Sequence, residues 1–152
     1  MGYSHSWTVN STMSDFARNL SFATFTALAE RIIIVAEEQG IKIADRSGEL
    51  LGGWEVSDSE VSLNGFDIES YETFDFHLNN GTPSNYCKTN LRPYDTVVTA
   101  LLVAVKHSYN EDVVINSDGD VDNWVAGLTL FEDATGFTAT VPYNDFVAVA
   151  KI

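Results

Sequence analysis

The chain has 152 residues, 45% of them hydrophobic and 12% aromatic, which fits one folded domain with its own core and excludes a disordered chain. Its formal net charge is −14, from 22 acidic and 8 basic residues, so direct binding to nucleic-acid phosphate or to anionic lipid is unfavourable. The single cysteine, Cys87, excludes an internal disulfide bond and a zinc site made of four cysteines.

The sequence carries no sign of export or membrane insertion. Residues 1–10 have neither a basic start nor an apolar run, so they do not match a signal peptide. The longest apolar run, residues 32–36, is far shorter than the roughly 20 residues that a membrane span needs. We therefore expect a cytoplasmic protein without membrane attachment. The acidity fits solubility, adaptation to salt or mimicry of nucleic acid, and composition does not separate these three.

The first half of the chain is predicted to contain four strands and one long helix. Alternating apolar and polar residues predict strands at residues 2–9, 41–44, 60–63 and 71–78. The helix is predicted over Ser21–Gln39, with Ser21 as its cap. Phe25 and Ile32 lie on the face that this helix would bury. The Asn-Gly pair at residues 64–65 is a turn signal, and the strands on either side of it can pair.

The second half is predicted to begin with a surface loop at residues 79–85. Helices are predicted over Tyr94–Ser108, after Pro93, and from Val121 to about Ala134, between the cap Asp120 and Gly136. Short strands are expected at 113–115 and 137–141, whereas 86–92 and 143–152 show no clear pattern. This mixed order predicts a single α+β domain over residues 1–152, with a mostly antiparallel sheet packed by two to three helices.

The segment around Cys87 is the most suggestive for chemistry. Lys88 and Arg92 place two of the eight basic residues close together just before a predicted helix, where free backbone N–H groups would favour an anion. Lys88 could also lower the pKa of Cys87 and make it a nucleophile, with His5 or Asp95 assisting. The alternative is that Cys87 is a small buried residue and that both cations pair with carboxylates.

Residues 116–122 superficially look like a calcium-binding loop. Counted from Asn116, however, the positions that require Gly and Glu hold Val121 and Gly127. Asp118 and Asp120 are therefore interpreted as turn and helix-cap residues. No metal site and no cofactor is predicted.

Several short blocks resemble a family of small uncharacterised phage and bacterial proteins. These blocks are Gly2-Tyr3-Ser4-His5-Ser6-Trp7, Leu63-Asn64-Gly65, Glu72-Thr73-Phe74, Tyr86-Cys87-Lys88-Thr89, Pro93-Tyr94-Asp95 and Ser117-Asp118-Gly119. The chain departs from the family pattern at Ser6, where an aromatic residue is usual, and at Tyr71, where histidine is common. The family's recurring positions are polar and suggest one pocket, although a hydrogen-bonded structural network is an alternative.

The family has no known function to carry over, and our leading hypothesis is a small phage-related accessory protein that acts by binding in the host-cell cytoplasm. Its partner would be a host protein or a small anionic ligand, and self-association into a homo-oligomer is left open. The candidate ligand-binding residues are Lys88, Arg92, Thr89, Glu72, Asn64 and Asp118. The alternative is a small enzyme that uses Cys87 as nucleophile.

Overall fold

A computed structural model describes residues 2–79 and 85–150 of the chain, so most of the loop predicted at 79–85 lies outside the described residues. Three helices pack against antiparallel sheets, which confirms the predicted α+β class. The elements in chain order are β1 (Ser4–Val9), α1 (Asp15–Glu38), β2 (Ile43–Ala44), β3 (Glu55–Val56), β4 (Glu60–Gly65), β5 (Phe74–His77), β6 (Asn85–Lys88), α2 (Asp95–Tyr109), β7 (Val113–Ser117), α3 (Val121–Thr135), β8 (Phe137–Ala139) and β9 (Ala148–Ala150).

The strands form two larger sheets and one hairpin. In the first sheet β1 lies between β6 and β7, and in the second β4 pairs with β2, β3 and β5. β8 and β9 pair with each other. The sequence predicted that the strands at residues 60–63 and 71–78 pair. This pairing is confirmed, since Leu63 of β4 lies opposite Phe74 of β5.

Helix α2 lies at the centre of the core. Apolar side chains cover almost its whole circumference, and every residue from Val97 to Val105 is buried, including the polar Thr99. A helix that is apolar all round must be covered on every side. Helices α1 and α3 and strand β7 all contact α2. The first turn of α2 therefore lies inside the protein.

Helix α1 is longer than the sequence pattern predicts. It begins at Asp15, because the Ser14 hydroxyl caps it by accepting the Ala17 N–H at 3.1 Å, and the prediction of a start at Ser21 is wrong. The first turns escaped notice because Phe16 and Leu20 are 78% and 59% exposed and follow no buried face. By length and composition alone α1 could also cross a membrane, a property that core helices of soluble proteins share.

The Asn-Gly turn signal at residues 64–65 is also misleading. Both residues belong to β4, and Gly65 pairs with Ile43 of β2. The chain reverses further on, and the buried Asn64 side chain holds that reversal, donating to the carbonyls of Arg46 and Tyr71 and accepting the Tyr71 N–H. A side chain that bonds backbone at a distance can serve a loop as well as a local turn.

Helix α3 matches its prediction closely. Asp120 caps it in a reciprocal box with Asn123, and Gly136 ends it with φ of 79°. Strands β6 and β9 arise where the sequence had no clear pattern. β6 forms because residues 85–88 pair with the central strand β1.

Candidate functional site

The register of the first sheet places three polar side chains in one row. His5 of β1 lies directly opposite Cys87 of β6 on one side and Ser117 of β7 on the other. All three point toward the helices, because residues that are direct partners across a ladder share a face of the sheet. Cys87 and His5 are 0% and 1% exposed and Ser117 is partly buried, so the row runs from the protein interior toward its edge.

The His5 ring is held by the first turn of α2. His5 Nε2 lies 2.7 Å from Asp95 Oδ1, and the Thr89 hydroxyl donates to the same oxygen at 2.6 Å. The Asp95 side chain is 8% exposed and that of His5 is 0% exposed. A buried carboxylate requires such partners, because burial without them costs several kcal/mol.

The hydrogen bonds of Ser117 fix the tautomer of His5. The Ser117 hydroxyl oxygen accepts the Trp124 indole N–H at 3.1 Å and the Gly119 backbone N–H at 2.9 Å. A hydroxyl has two lone pairs and one proton, so its proton must go to His5 Nδ1, which lies 2.8 Å away. His5 thus bridges Ser117 and Asp95 through its two ring nitrogens. We call these five side chains the buried network: His5, Thr89, Asp95, Ser117 and Trp124.

The connection Ser117–His5–Asp95 has the order of a serine hydrolase triad, but the surroundings do not suit that chemistry. A serine nucleophile needs a lone pair free to attack, and both lone pairs of Ser117 accept hydrogen bonds. The base must also reach the leaving group, and the His5 ring is enclosed by edge contacts to Tyr3 and Trp124. The hydrogen bonds of this arrangement connect β1 and β7 to α2 and α3, and its polar groups are satisfied. We therefore interpret it as stabilising the fold.

Cys87 lies beside this network without entering it. Its thiol is directed at the Glu72 carbonyl oxygen at 3.5 Å, which also accepts the Tyr94 hydroxyl proton at 2.6 Å. Burial, and after it the nearby Glu72 carboxylate, raise the pKa of Cys87 to about 12. A nucleophilic cysteine needs a lowered pKa and access to solvent. The geometry therefore favours the interpretation of Cys87 as a packed residue.

The candidate cations lie on the opposite side of the same segment. Lys88 Nζ and the Arg92 guanidinium carbon each lie 5.8 Å from the centre of the Tyr71 ring, and Tyr71 is 41% exposed. Among the described residues, no carboxylate lies within the 4.0 Å that an ion pair with either cation requires. We call Tyr71, Lys88 and Arg92 the cationic patch.

Two of the predicted ligand-binding residues hold the patch from beneath. Asn64 Oδ1 accepts the Tyr71 N–H and Asn64 Nδ2 donates to the Tyr71 carbonyl, both at 3.0 Å. Glu72 Oε1 accepts the Lys88 N–H at 2.8 Å, and the Glu72 N–H donates to the Lys88 carbonyl at 3.2 Å. The backbone on which the ring and the ammonium group are mounted is thereby fixed.

The helix end next to the patch does not offer the free N–H groups that the sequence suggested. The N–H groups of Asp95, Thr96 and Val97 bond to the carbonyls of Arg92, Pro93 and Tyr94. That expectation is wrong because the turn before α2 satisfies these groups itself. Any anion at the patch would be held by side chains.

The remaining candidates lie apart. Asp118 accepts hydrogen bonds from the backbone N–H and the hydroxyl of Ser4, on the side of β1 away from Lys88. The Thr89 hydroxyl belongs to the buried network, so this residue does not face the patch. The described side chains that could hold a metal ion lie on β4 and β5.

Sequence reasoning missed Tyr71 as a platform and Trp124 as a network member. A signal existed for Trp124, because a tryptophan on the buried face of a helix must still find an acceptor for its indole N–H. For Tyr71 the only signal was its departure from the resemblance pattern. Comparison with known protein families, with curated proteins and with solved structures finds no match for this chain.

Proposed function

We propose that the protein is a binding module that holds a small anionic ligand, with carboxylate or phosphate groups, at the cationic patch. The observation that supports this proposal is the pair of cations, Lys88 and Arg92, that flank one half-exposed aromatic ring without a carboxylate partner among the described residues. Arginine and lysine on either side of an anion provide charge-assisted hydrogen bonds, and the ring holds both cations in place.

The overall charge of −14 does not argue against such a site. At physiological ionic strength the Debye length is about 8 Å, so charges farther away are largely screened. An anion at the patch would be attracted by Lys88 and Arg92 and repelled by one near carboxylate, that of Glu72, whose Oε1 accepts the Lys88 N–H at 2.8 Å. The resemblance to phage proteins would place this binding in the host cytoplasm, where the ligand could be free or part of a host protein.

The fixed backbone beneath the patch supports binding with little reorganisation. The strained loop beside it supports the same view, since Asn90 and Leu91 have φ of 53° and 58° and Leu91 is 54% exposed. Consecutive left-handed residues other than glycine are costly, and such strain concentrates at binding sites. Preorganised cations lose less conformational entropy when a ligand arrives.

The proposal can be tested by titrating the ¹⁵N-labelled protein with inorganic phosphate and with citrate and recording amide shifts. We expect shifts that saturate and that centre on Tyr71, Lys88 and Arg92. They should vanish in the double variant Lys88→Ala/Arg92→Ala, and they should weaken as sodium chloride is raised.

The matched control is the double variant Arg31→Ala/Lys42→Ala, which removes the same charge from two exposed positions elsewhere. It should retain the shifts at the patch. Absence of saturable shifts with both probes, or equal loss in both double variants, would contradict the proposal.

A further inference from the structure

A second group of polar side chains lies on the other sheet, far from the buried network in sequence and topology. Glu60 of β4 is the direct cross-strand partner of His77 of β5, and Asp75 precedes His77 by two residues. Residues two apart on a strand share a face, so the three side chains project together. All three residues belong to the paired strands β4 and β5, whose ladder fixes the backbone positions of the group.

The separations within this group match those of ligands around one ion. His77 Nε2 lies 2.8 Å from Asp75 Oδ1 and 3.7 Å from Glu60 Oε2, and all three ligand atoms lie within 4.8 Å of one another. Atoms bound at about 2.1 Å to a common ion are about 3.0 Å apart at right angles and about 3.4 Å apart in a tetrahedron. Small side-chain rotations would bring the three atoms to such a geometry.

One oxygen of the group has no hydrogen-bond partner among the described residues. Asp75 Oδ1 is buried and accepts no hydrogen bond, although His77 Nε2 is only 2.8 Å away, because the two atoms are not aligned for one. The other oxygen, Oδ2, accepts a hydrogen bond from Arg46 at 2.7 Å. A buried acceptor whose nearest polar neighbour is one imidazole nitrogen is poorly satisfied when that nitrogen carries no proton. A cation held between Asp75 and His77 would supply the missing partner.

The charges leave room for a divalent ion. Two carboxylates and the Arg46 guanidinium sum to −1 when His77 is neutral. Arg46 Nη1 lies 3.5 Å from Glu60 Oε2, a long contact that this 56% exposed side chain can give up while Nη2 keeps its hydrogen bond to Asp75. In known metal sites the ligating carboxylates commonly accept an outer hydrogen bond of the kind that Arg46 gives to Asp75.

We propose that Glu60, Asp75 and His77 form a binding site for a divalent first-row transition-metal ion, with Zn²⁺ as the best-suited member. One imidazole nitrogen and two carboxylate oxygens are ligands that Zn²⁺ takes readily, and water would complete the coordination. Ca²⁺ and Mg²⁺ prefer oxygen ligands alone, so they fit this set less well. The site is separate from the cationic patch and does not depend on its function.

The test is calorimetric titration of the full chain with zinc chloride at pH 7.5 in 0.15 M salt. We expect one saturable site that an equal concentration of Mg²⁺ does not occupy. His77→Ala and Glu60→Gln should each weaken it at least about tenfold, since even outer-shell changes cost about 10–100-fold. Both side chains are partly exposed, and circular dichroism would verify that the variants fold.

Asp58→Asn is the matched control, because it removes one exposed carboxylate from the turn next to β4 without touching the site. It should bind zinc like the parent chain. The imidazole signals of His77 should also shift on zinc addition. No binding, or weak binding to many sites that His77→Ala leaves unchanged, would overturn the proposal and show mere adsorption to an acidic surface.

Discussion

The buried network and the cationic patch share one stretch of chain, residues 87–95, and have opposite characters. Along residues 87–95, Thr89 and Asp95 turn inward to His5, whereas Lys88 and Arg92 turn outward to Tyr71. The inward groups have their hydrogen bonds satisfied, and the outward cations have no ion-pair partner among the described residues. Polar residues that look alike in sequence can therefore stabilise the fold in one position and be available to a ligand in the next.

The largest difference between the two regions should appear in stability. His5→Ala would leave the Asp95 carboxylate buried without its main partner and open a cavity between two aromatic rings. Breaking a buried pair from one side costs about 3–5 kcal/mol. We expect His5→Ala to lower the free energy of unfolding in urea by about that much.

Lys88→Ala and Arg92→Ala are the counterparts, and each should change the unfolding free energy by less than about 1 kcal/mol. A loss below about 1 kcal/mol for His5→Ala would remove the distinction between the two regions. So would a comparable loss for the two patch variants.

The sequence predicted much of the fold and named the two cations of the patch, but it did not predict the hydrogen-bond partners of the buried network. Alternation along β1 correctly placed His5 on the same face as Trp7, and helical spacing found α2 and α3, because these signals are local. The partners of His5 lie 90 and 112 positions away, so no local pattern could pair them. The register that sets Cys87, His5 and Ser117 side by side depends on strand pairing across the whole chain.

The interpretation of the buried network as structural is sharpened by Ser117. Ser117→Ala removes the acceptor for the Trp124 indole and the Gly119 N–H and the donor to His5. An unsatisfied buried polar group costs about 1–3 kcal/mol, so we expect a loss of about 2 kcal/mol in unfolding free energy.

A serine hydrolase would behave differently. A fluorophosphonate probe, which labels activated serines, should leave the native protein unmodified at neutral pH. Covalent labelling of Ser117 that His5→Ala abolishes would show that the network is catalytic.

The pH dependence of the unfolding free energy should also show that Cys87 is packed in the interior, unlike its neighbour Lys88 in the cationic patch. The ordinary pKa of a cysteine is near 9, and burial raises that of Cys87 to about 12. Between these values the unfolded chain has lost the thiol proton and the folded chain keeps it. Stability from this group is therefore full below pH 9 and is lost as the pH rises toward 12, by about 1.4 kcal/mol per pH unit.

The measurement is the unfolding free energy at pH 8, 9 and 10, and the control is Cys87→Ala, whose curve should be flatter above pH 9 despite lower overall stability. Burial also raises the pKa of Tyr94 and Tyr109, so a further decline is expected above pH 10 in both proteins. The native thiol should resist alkylation until denaturant is added. Fast alkylation with an apparent pKa below 7, abolished by Lys88→Ala, would restore the nucleophile hypothesis.

The smallest effect concerns the loop that carries Arg92. Asn90 has φ of 53°, a conformation that asparagine and glycine tolerate and alanine does not. Its N–H donates to the Tyr3 carbonyl at 3.1 Å, which ties the loop to the strand below and keeps it left-handed. Asn90→Ala should therefore cost about 1 kcal/mol, whereas Asn90→Gly should cost only a few tenths. Both variants remove the same exposed side chain, so the difference between them in urea unfolding reports the backbone alone.

If the loop presets Arg92 for a ligand, Asn90→Ala should also weaken the phosphate-induced shifts at the patch more than Asn90→Gly does. Equal stability of the two variants would mean that the loop relaxes freely, and the patch would then owe its geometry to Tyr71 and Lys88 instead.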